Sequence, residues 1–331
     1  MKIAIVKLSA LGDIIHAMVA LQFMKKNNPD LEIDWVVEER YKELLKFNPD
    51  INQVLPINIK QAKKMKSFFL LIKEFRRASK FGPYDLVIDM QGLVKSSIIS
   101  RLIPSKLTLG FDKSSVRERV ASIFYNKTFR ISYDQNIVER NFELIKFAFN
   151  FSYQVKDIQD KLPFLYSNNK YLFSGFSSVK KNIVIIPGAS VAAKRYPIEN
   201  FVKLINLLDA NYFIIWGNDE EKLLAKKIKK LSPSINICEK LSIEGLIELI
   251  SRSDLVLGPD TGPTHMAWAL NVPSITLFGP TPGYRNSCIT KVNKVIESKS
   301  KVNPYNINKN DYSIKEIDVR EILKVSKGLL N

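Results

Sequence analysis

Asp13 and His16 stand three residues apart, just past the first apolar run, Ile3-Ala4-Ile5-Val6. On a helix that spacing sets a carboxylate and an imidazole on neighbouring positions of one face, where they could share acid–base work. The alternative is plainer: Asp13 caps the helix and His16 is a half-buried helix residue. A second candidate group lies in Gly258-Pro259-Asp260-Thr261-Gly262-Pro263-Thr264-His265, a strand-to-helix turn with two glycines. Backbone N–H groups freed there, together with the helix dipole, form an anion site suited to a pyrophosphate, although Asp260 and Thr261 could act only as caps. The loop Pro187-Gly188-Ala189-Ser190-Val191-Ala192-Ala193-Lys194 offers a lysine that could reach a phosphate or simply face solvent. Trp216-Gly217-Asn218-Asp219-Glu220-Glu221 offers carboxylates that could hold ribose hydroxyls or favour the start of the next helix.

Each of these groups follows an apolar run short enough to be a buried strand, and each leads into a segment with helical periodicity. Strands are expected at Leu31 to Val37, Asn52 to Ile57, Tyr84 to Met90, Leu107 to Phe111, Ile183 to Ile186, Tyr212 to Trp216, Leu255 to Leu257 and Ser274 to Phe278. Helices are expected between them, including Glu38 to Phe47, the basic segment Lys60 to Lys80, Asn136 to Phe149 and a last helix announced by Asp318 three residues before Glu321. Such alternation predicts parallel sheets covered on both faces, with ligands at the carboxyl ends of the strands. Residues 151–180 break the pattern and suit a connection between two α/β domains. Phe68, Phe69, Phe147 and Phe149 read as core.

The length of 331 residues suggests about two domains, and 46% hydrophobic with 25% charged residues is ordinary for a globular chain. No apolar run approaches the roughly 20 residues of a membrane helix. Lys7 and Asp13 interrupt the N-terminal run, so it reads as strand and helix rather than a secretory signal. Cys238 and Cys288 lack metal or redox spacing and read as thiols. The net charge of +17 favours an anionic partner, or reflects a lysine-rich composition. From Lys60 to Lys80 eight basic residues face a single acid, Glu74. There is neither a G-x-G-x-x-G nor a G-x-x-x-x-G-K-[ST] segment, which argues against a nicotinamide dehydrogenase and a P-loop NTPase. Two histidines and unpaired cysteines make a transition-metal site improbable, and no Asp-x-Asp clasp is present. A diphosphate bound here would have to be neutralised by protein groups.

At these motifs the chain resembles the bacterial lipopolysaccharide heptosyltransferases, and most nearly the heptosyltransferase I type. The resemblance runs over nearly the whole chain and rests on Lys7-x-Ser9-x-x-Gly12-Asp13-x-x-His16, Asp89-x-Gln91-Gly92-Leu93-Val94-Lys95-Ser96, Asp260-Thr261-Gly262-x-x-His265 and Phe278-Gly279-Pro280-Thr281. It implies an α/β GT-B glycosyltransferase of two Rossmann-like domains with a central cleft. The expected division is an acceptor-binding domain over 1–165, an ADP-heptose-binding domain over 166–315, and a C-terminal helix over 316–331 with the option of packing back on the first. It further implies an inverting transfer of L-glycero-D-manno-heptose from ADP-heptose to Kdo of the lipid A inner core, with no cofactor and no metal.

Carried over by resemblance, Asp13 is the general base; His16 stands beside it, either to tune that carboxylate or to contact the sugar. Lys194 matches the donor-phosphate lysine, and Asp260, Thr261, Gly262 and His265 match the donor loop. Ser190 stands where a threonine is usual and Ala189 replaces another hydroxyl, so hydroxyl contacts to phosphate are expected to be fewer. Glu221 matches the adenosine-side carboxylate, with Glu220 a rival one position away, and Leu241 falls near the base. Lys63, Lys64, Gln91, Arg117, Arg119 and Arg140 are the expected acceptor contacts, for lipid A phosphates and Kdo carboxylates. The implied location is peripheral, on the cytoplasmic face of an anionic inner membrane. The alternatives are a heptosyltransferase II-type enzyme adding the second heptose and, far behind, a basic nucleic-acid-binding α/β protein.

Overall fold

The computed structural model describes the whole chain except Ser152 and residues 169–172, so part of the expected connection over 151–180 lies outside the described residues. The chain divides into two compact units, Met1–Phe164 and Leu165–Asn331. The first unit holds β1 (Lys2–Val6), β2 (Glu32–Glu38), β3 (Gln53–Ile57), β4 (Tyr84–Asp89), β5 (Ser105–Phe111) and β6 (Lys127–Phe129). They form one parallel sheet in the order β3-β2-β1-β4-β5-β6. The second unit holds β7 (Asn182–Ile185), β8 (Asn211–Ile214), β9 (Asn236–Ile237), β10 (Leu255–Pro259), β11 (Ser274–Phe278) and β12 (Asn293–Glu297). Its order, β12-β11-β10-β7-β8-β9, repeats that of the first, again all parallel. This is the doubly wound arrangement, whose topological switch point lies between the two central strands of each sheet.

The central strands are buried on both faces, so Ile3, Ala4, Ile5 and Val6 of β1 are all fully covered, as are Val256 and Leu257 of β10. A parallel sheet sandwiched by helices requires such continuous apolar runs, and they made the strands legible. The expected helix from Ile14 onward is two helices, Leu11–Met18 and Ala20–Asn27. Between Glu38 and Phe47 there is only a short turn and a four-residue helix, Lys42–Leu45. The basic segment also breaks in two. The Ile59–Lys64 and Phe68–Ala78 helices meet at a corner where Lys66 is left-handed and the Ser67 hydroxyl caps the Leu70 amide at 3.2 Å. Phe68 and Phe69, read as core from the sequence, are 74% exposed. Their places at the start of the second helix turn them outward, while Leu71 and Phe75 pack inward.

The last helix, Val319–Leu330, is capped by Asp318, which accepts the Arg320 amide at 2.8 Å. Val319 and Ile322 belong to the second unit's core, with Ile183, Leu257 and Leu277. Among the described residues no helix is long and apolar enough to cross a membrane.

Candidate functional site

In the first unit, the turn after β1 is held by the turn after β4. The Lys7 ammonium, nearly buried, donates to the Met90 carbonyl at 2.7 Å. The Gln91 amide oxygen accepts the backbone N–H groups of Leu8 at 2.7 Å and Ser9 at 3.2 Å, and its nitrogen donates to the Ser9 hydroxyl at 3.3 Å. Asp89, fully buried, accepts Gln91 and Gly92 amides and the Tyr125 phenol. Burial raises its carboxyl against the pull of these donors. Gly92 is left-handed, with φ +70°, and a Cβ there would lie 2.5 Å from a Val116 methyl carbon, so only glycine suits the turn. Gln91, expected as an acceptor contact, therefore works as a positioning residue for the opening turn.

That turn starts the Leu11–Met18 helix, and Asp13 sits in its first turn. One Asp13 oxygen accepts the Ala10 amide at 3.0 Å, yet the side chain stays exposed. Asp13 thus takes the third helical position, closing on the Ala10 N-cap amide while its carboxylate stays open to solvent on an anchored backbone. Arg40 stacks on the Tyr41 ring at 4.2 Å, and burial raises the Tyr41 phenol, with the Asp13 charge among the lesser contributions. His16 is 4% exposed and belongs to the helix's inner face.

Lys95 joins this group without having been singled out in the sequence. Its ammonium donates to the Ser9 hydroxyl at 3.0 Å. Burial lowers its pKa; Glu38 opposes that shift and Lys63 adds to it. Lys63, Lys95 and Glu118 line a pocket of about 380 Å³ with an apolar floor that includes Ile59, Leu71 and Phe75. Two ammonium groups and one carboxylate over an apolar floor offer both charge and apolar contact to a small polar ligand. Lys64, Arg117 and Arg119 are exposed. Arg140 is not available as an acceptor contact. It is 3% exposed, donates to the carbonyls of Ile131, Ser132 and Ser115, and lies over the Phe111 and Tyr133 rings. A guanidinium can be buried when backbone carbonyls satisfy its fork, and nothing in the helical spacing of Arg140 reveals that.

In the second unit, Asp260 is the hub. It follows β10 and is 9% exposed. Its Oδ2 accepts from the Lys194 ammonium at 2.7 Å and the Thr281 hydroxyl at 3.0 Å, and its Oδ1 pairs with His265 Nε2 at 3.0 Å. These residues come from the loops after β7, β10 and β11, three neighbouring strands, so the fold gathers them at one end of the sheet. Burial alone would raise the Asp260 carboxyl, but the Lys194 and His265 partners outweigh it and hold the group well below the usual carboxylate range. Thr281, from the Phe278-Gly279-Pro280-Thr281 motif, closes the cluster.

The Gly262–Ala269 helix starts beside Asp260 with Thr261 as its N-cap residue and Pro263 in its first turn. Thr261 and Thr264 share a hydroxyl–hydroxyl bond at 3.2 Å, and Thr264 donates to the Pro259 carbonyl at 2.7 Å. Free N–H groups and the positive end of the dipole therefore lie next to the ammonium of Lys194. Lys194 has three N–H donors, one committed to Asp260, so its position is fixed while two remain for a phosphate.

Ser190 is exposed in the loop after β7. Glu221 accepts the Gly217 amide at 2.7 Å and lies so close to Gly188 that a Cβ there would be 2.4 Å from its Cγ. Glu220 instead forms a two-pronged pair with Arg195, which also donates to the Ala189 carbonyl at 3.1 Å. Of the two carboxylates, Glu221 is the one set against the loop after β7. Leu241 is half-buried just before the Ser242 cap of the Ile243–Ser251 helix.

A buried lysine–carboxylate pair beside a helix N-terminus in a doubly wound domain offers the counter-charge that a diphosphate requires. The model of glycosyltransferase family 9 (heptosyltransferase) matches residues 72–312. A lipopolysaccharide heptosyltransferase 1 from Campylobacter coli is 39% identical over 348 residues, covering 99% of each chain. The structure of Escherichia coli heptosyltransferase WaaC with ADP aligns with a TM-score of 0.81 at 26% identity, over 99% of this chain and 100% of that one. The same enzyme with ADP-2-deoxy-2-fluoro heptose aligns with a TM-score of 0.77 at 26% identity, over 98% and 100%. The chain belongs to glycosyltransferase family 9, the heptosyltransferases, and is an enzyme of that family.

Proposed function

We propose that the protein transfers L-glycero-D-manno-heptose from ADP-heptose to Kdo of the lipid A inner core, as a heptosyltransferase I. The observation that carries this reading is the Lys194–Asp260–His265–Thr281 cluster beside the Gly262–Ala269 helix, a protein-built counter-charge for a departing diphosphate. The similarity to a heptosyltransferase 1 over 99% of both chains supports the choice of acceptor. The similarity to a structure holding an ADP-heptose analogue supports the donor.

The reaction is a single displacement with inversion. Asp13 takes the proton of the acceptor hydroxyl as its oxygen attacks the anomeric carbon of the heptose. The bond from that carbon to the diphosphate oxygen breaks, and ADP leaves with the electron pair. General-base help of this kind is worth roughly 10²–10⁴ in rate. Charge growing on the leaving diphosphate meets the Lys194 ammonium and the helix N–H groups, fixed before the reaction begins. Glu221 holds the nucleoside side and Leu241 borders the base. Lys63 and Lys95 receive the Kdo carboxylate, while Lys64, Arg117 and Arg119 meet lipid A phosphates at an anionic membrane face.

Incubation with ADP-heptose and Kdo-lipid A, with and without a first heptose already attached, tests the proposal. ADP release with the unmodified acceptor is expected. Release only when a first heptose is present would replace it with second-heptose transfer, and no release with either would reject it.

A further inference from the structure

The corner between the Ile59–Lys64 and Phe68–Ala78 helices exposes what a protein core would normally hide. Met65 is 60% exposed, and Phe68 and Phe69 are 74% each, three large apolar side chains within five residues. The same two-helix stretch carries Lys60, Lys63, Lys64, Lys66, Lys73, Arg76, Arg77 and Lys80, all exposed. Phe69, Lys73 and Arg76, at i, i+4 and i+7, share the outward face of the second helix. The one acid of the stretch, Glu74, is turned inward and accepts the Asn58 amide at 2.9 Å. The outer face therefore combines apolar tips with uncompensated positive charge. The corner is also fixed in shape by the left-handed Lys66 and the Ser67 cap, and the same helix pair supplies Lys63, Leu71 and Phe75 to the pocket beside Lys95.

We propose that this corner docks on an anionic lipid surface, with Met65, Phe68 and Phe69 entering the interface between headgroups and acyl chains and the lysines and arginines pairing with lipid phosphates. Charge complementarity decides for lipid over another protein surface. An apolar tip alone would suit many partners, but eight exposed cations along the same two-helix stretch, whose one acid is buried, suit a sheet of phosphates. Two weak anchors, aromatic insertion and electrostatic attraction, make binding firm but reversible. The consequence for catalysis is placement: the pocket lined by Lys63 and Lys95 is held at the level where a lipid-anchored sugar would stand. This deepens the proposed function, whose acceptor is a lipid, yet it is testable without donor, acceptor or turnover.

The test is sedimentation of the full-length protein with vesicles of equal parts phosphatidylglycerol and phosphatidylcholine, against vesicles of phosphatidylcholine alone. The wild type should bind the anionic vesicles and release with added salt. Phe68→Ser with Phe69→Ser, at exposed positions that do not threaten folding, should weaken vesicle binding by about tenfold or more. Phe68→Trp with Phe69→Trp should keep it, and its emission should shift to the blue and be quenched by bromine placed in the upper acyl chain. Equal binding by the serine variant, or tryptophans that brominated lipid does not quench, would overturn the proposal. So would serine substitutions that leave vesicle binding intact and abolish self-association instead. A protein that binds vesicles in this way but releases no ADP with either acceptor would leave the docking surface standing and remove only the proposed reaction.

Discussion

The two units are built on the same strand order but manage charge in opposite ways. In the second, Lys194 is nearly buried and paired at 2.7 Å with Asp260, which His265 and Thr281 also hold. In the first, Lys63 and Lys95 line one open pocket together with Glu118, and the Lys95 ammonium donates to a neutral hydroxyl, that of Ser9. One sheet end is a fixed fitting for an anion of one shape. The other is an open pocket in which two ammonium groups and the Glu118 carboxylate share an apolar lining. A shared topology thus carries a buried, paired charge cluster in one unit and an open cationic pocket in the other, because the side chains on the loops, not the sheets, set the electrostatics.

The largest effect expected from disturbing this contrast is at the reacting group. Asp13→Asn should keep the fold and donor affinity and lower kcat by about 10²–10⁴. Near-normal turnover, measured as ADP release, would move the base elsewhere. Next comes the rigid site. Lys194→Ala should weaken ADP binding by about tenfold to a hundredfold, read by calorimetry. Asp260→Asn should cost about 3 kcal/mol of stability, because it strands buried positive charge. The sign of its pH dependence follows from the depressed carboxyl. The folded pKa lies below the unfolded value of about 3.9, so the stabilisation is full above that value and is lost as pH falls through the folded pKa. Wild type and Asp260→Asn should therefore converge in acid denaturation. A gap that widened in acid would contradict the pairing.

The open site should respond least. Lys63→Glu with Lys64→Glu should raise the acceptor KM by about fivefold to tenfold and leave ADP affinity unchanged. A parallel loss of donor affinity would erase the distinction between the two sites.

Much of the scaffold was legible because the central strands are continuous apolar runs ending in glycine-bearing turns. Three strands were not. β6 (Lys127–Phe129), β9 (Asn236–Ile237) and β12 (Asn293–Glu297) are edge strands, short or mixed in polarity, with too little burial to impose a pattern. The donor loop could be read because Asp260, Thr261, Gly262 and His265 are close in sequence. The partnership of Asp260 with Lys194 and Thr281 could not, since it spans 66 and 21 residues of chain. Arg140 misled because a cation on a helix gives no sign that carbonyls will enclose it. Phe68 and Phe69 misled for the converse reason, since aromatic residues near the start of an amphipathic helix usually pack inward.

The carboxylate at the centre of the donor cluster also bears on what the empty enzyme attracts. A lone ammonium in a cleft would draw any passing anion, and free orthophosphate would be a constant competitor in a living cell. Asp260 cancels the charge of Lys194 at contact distance, so an isolated phosphate gains little net attraction there. A ligand must bring more than charge: a second phosphate, a nucleoside for the loop beside Glu221, or a sugar. Under the proposed function, the ion pair is thus a filter that favours a whole nucleotide sugar over an isolated phosphate.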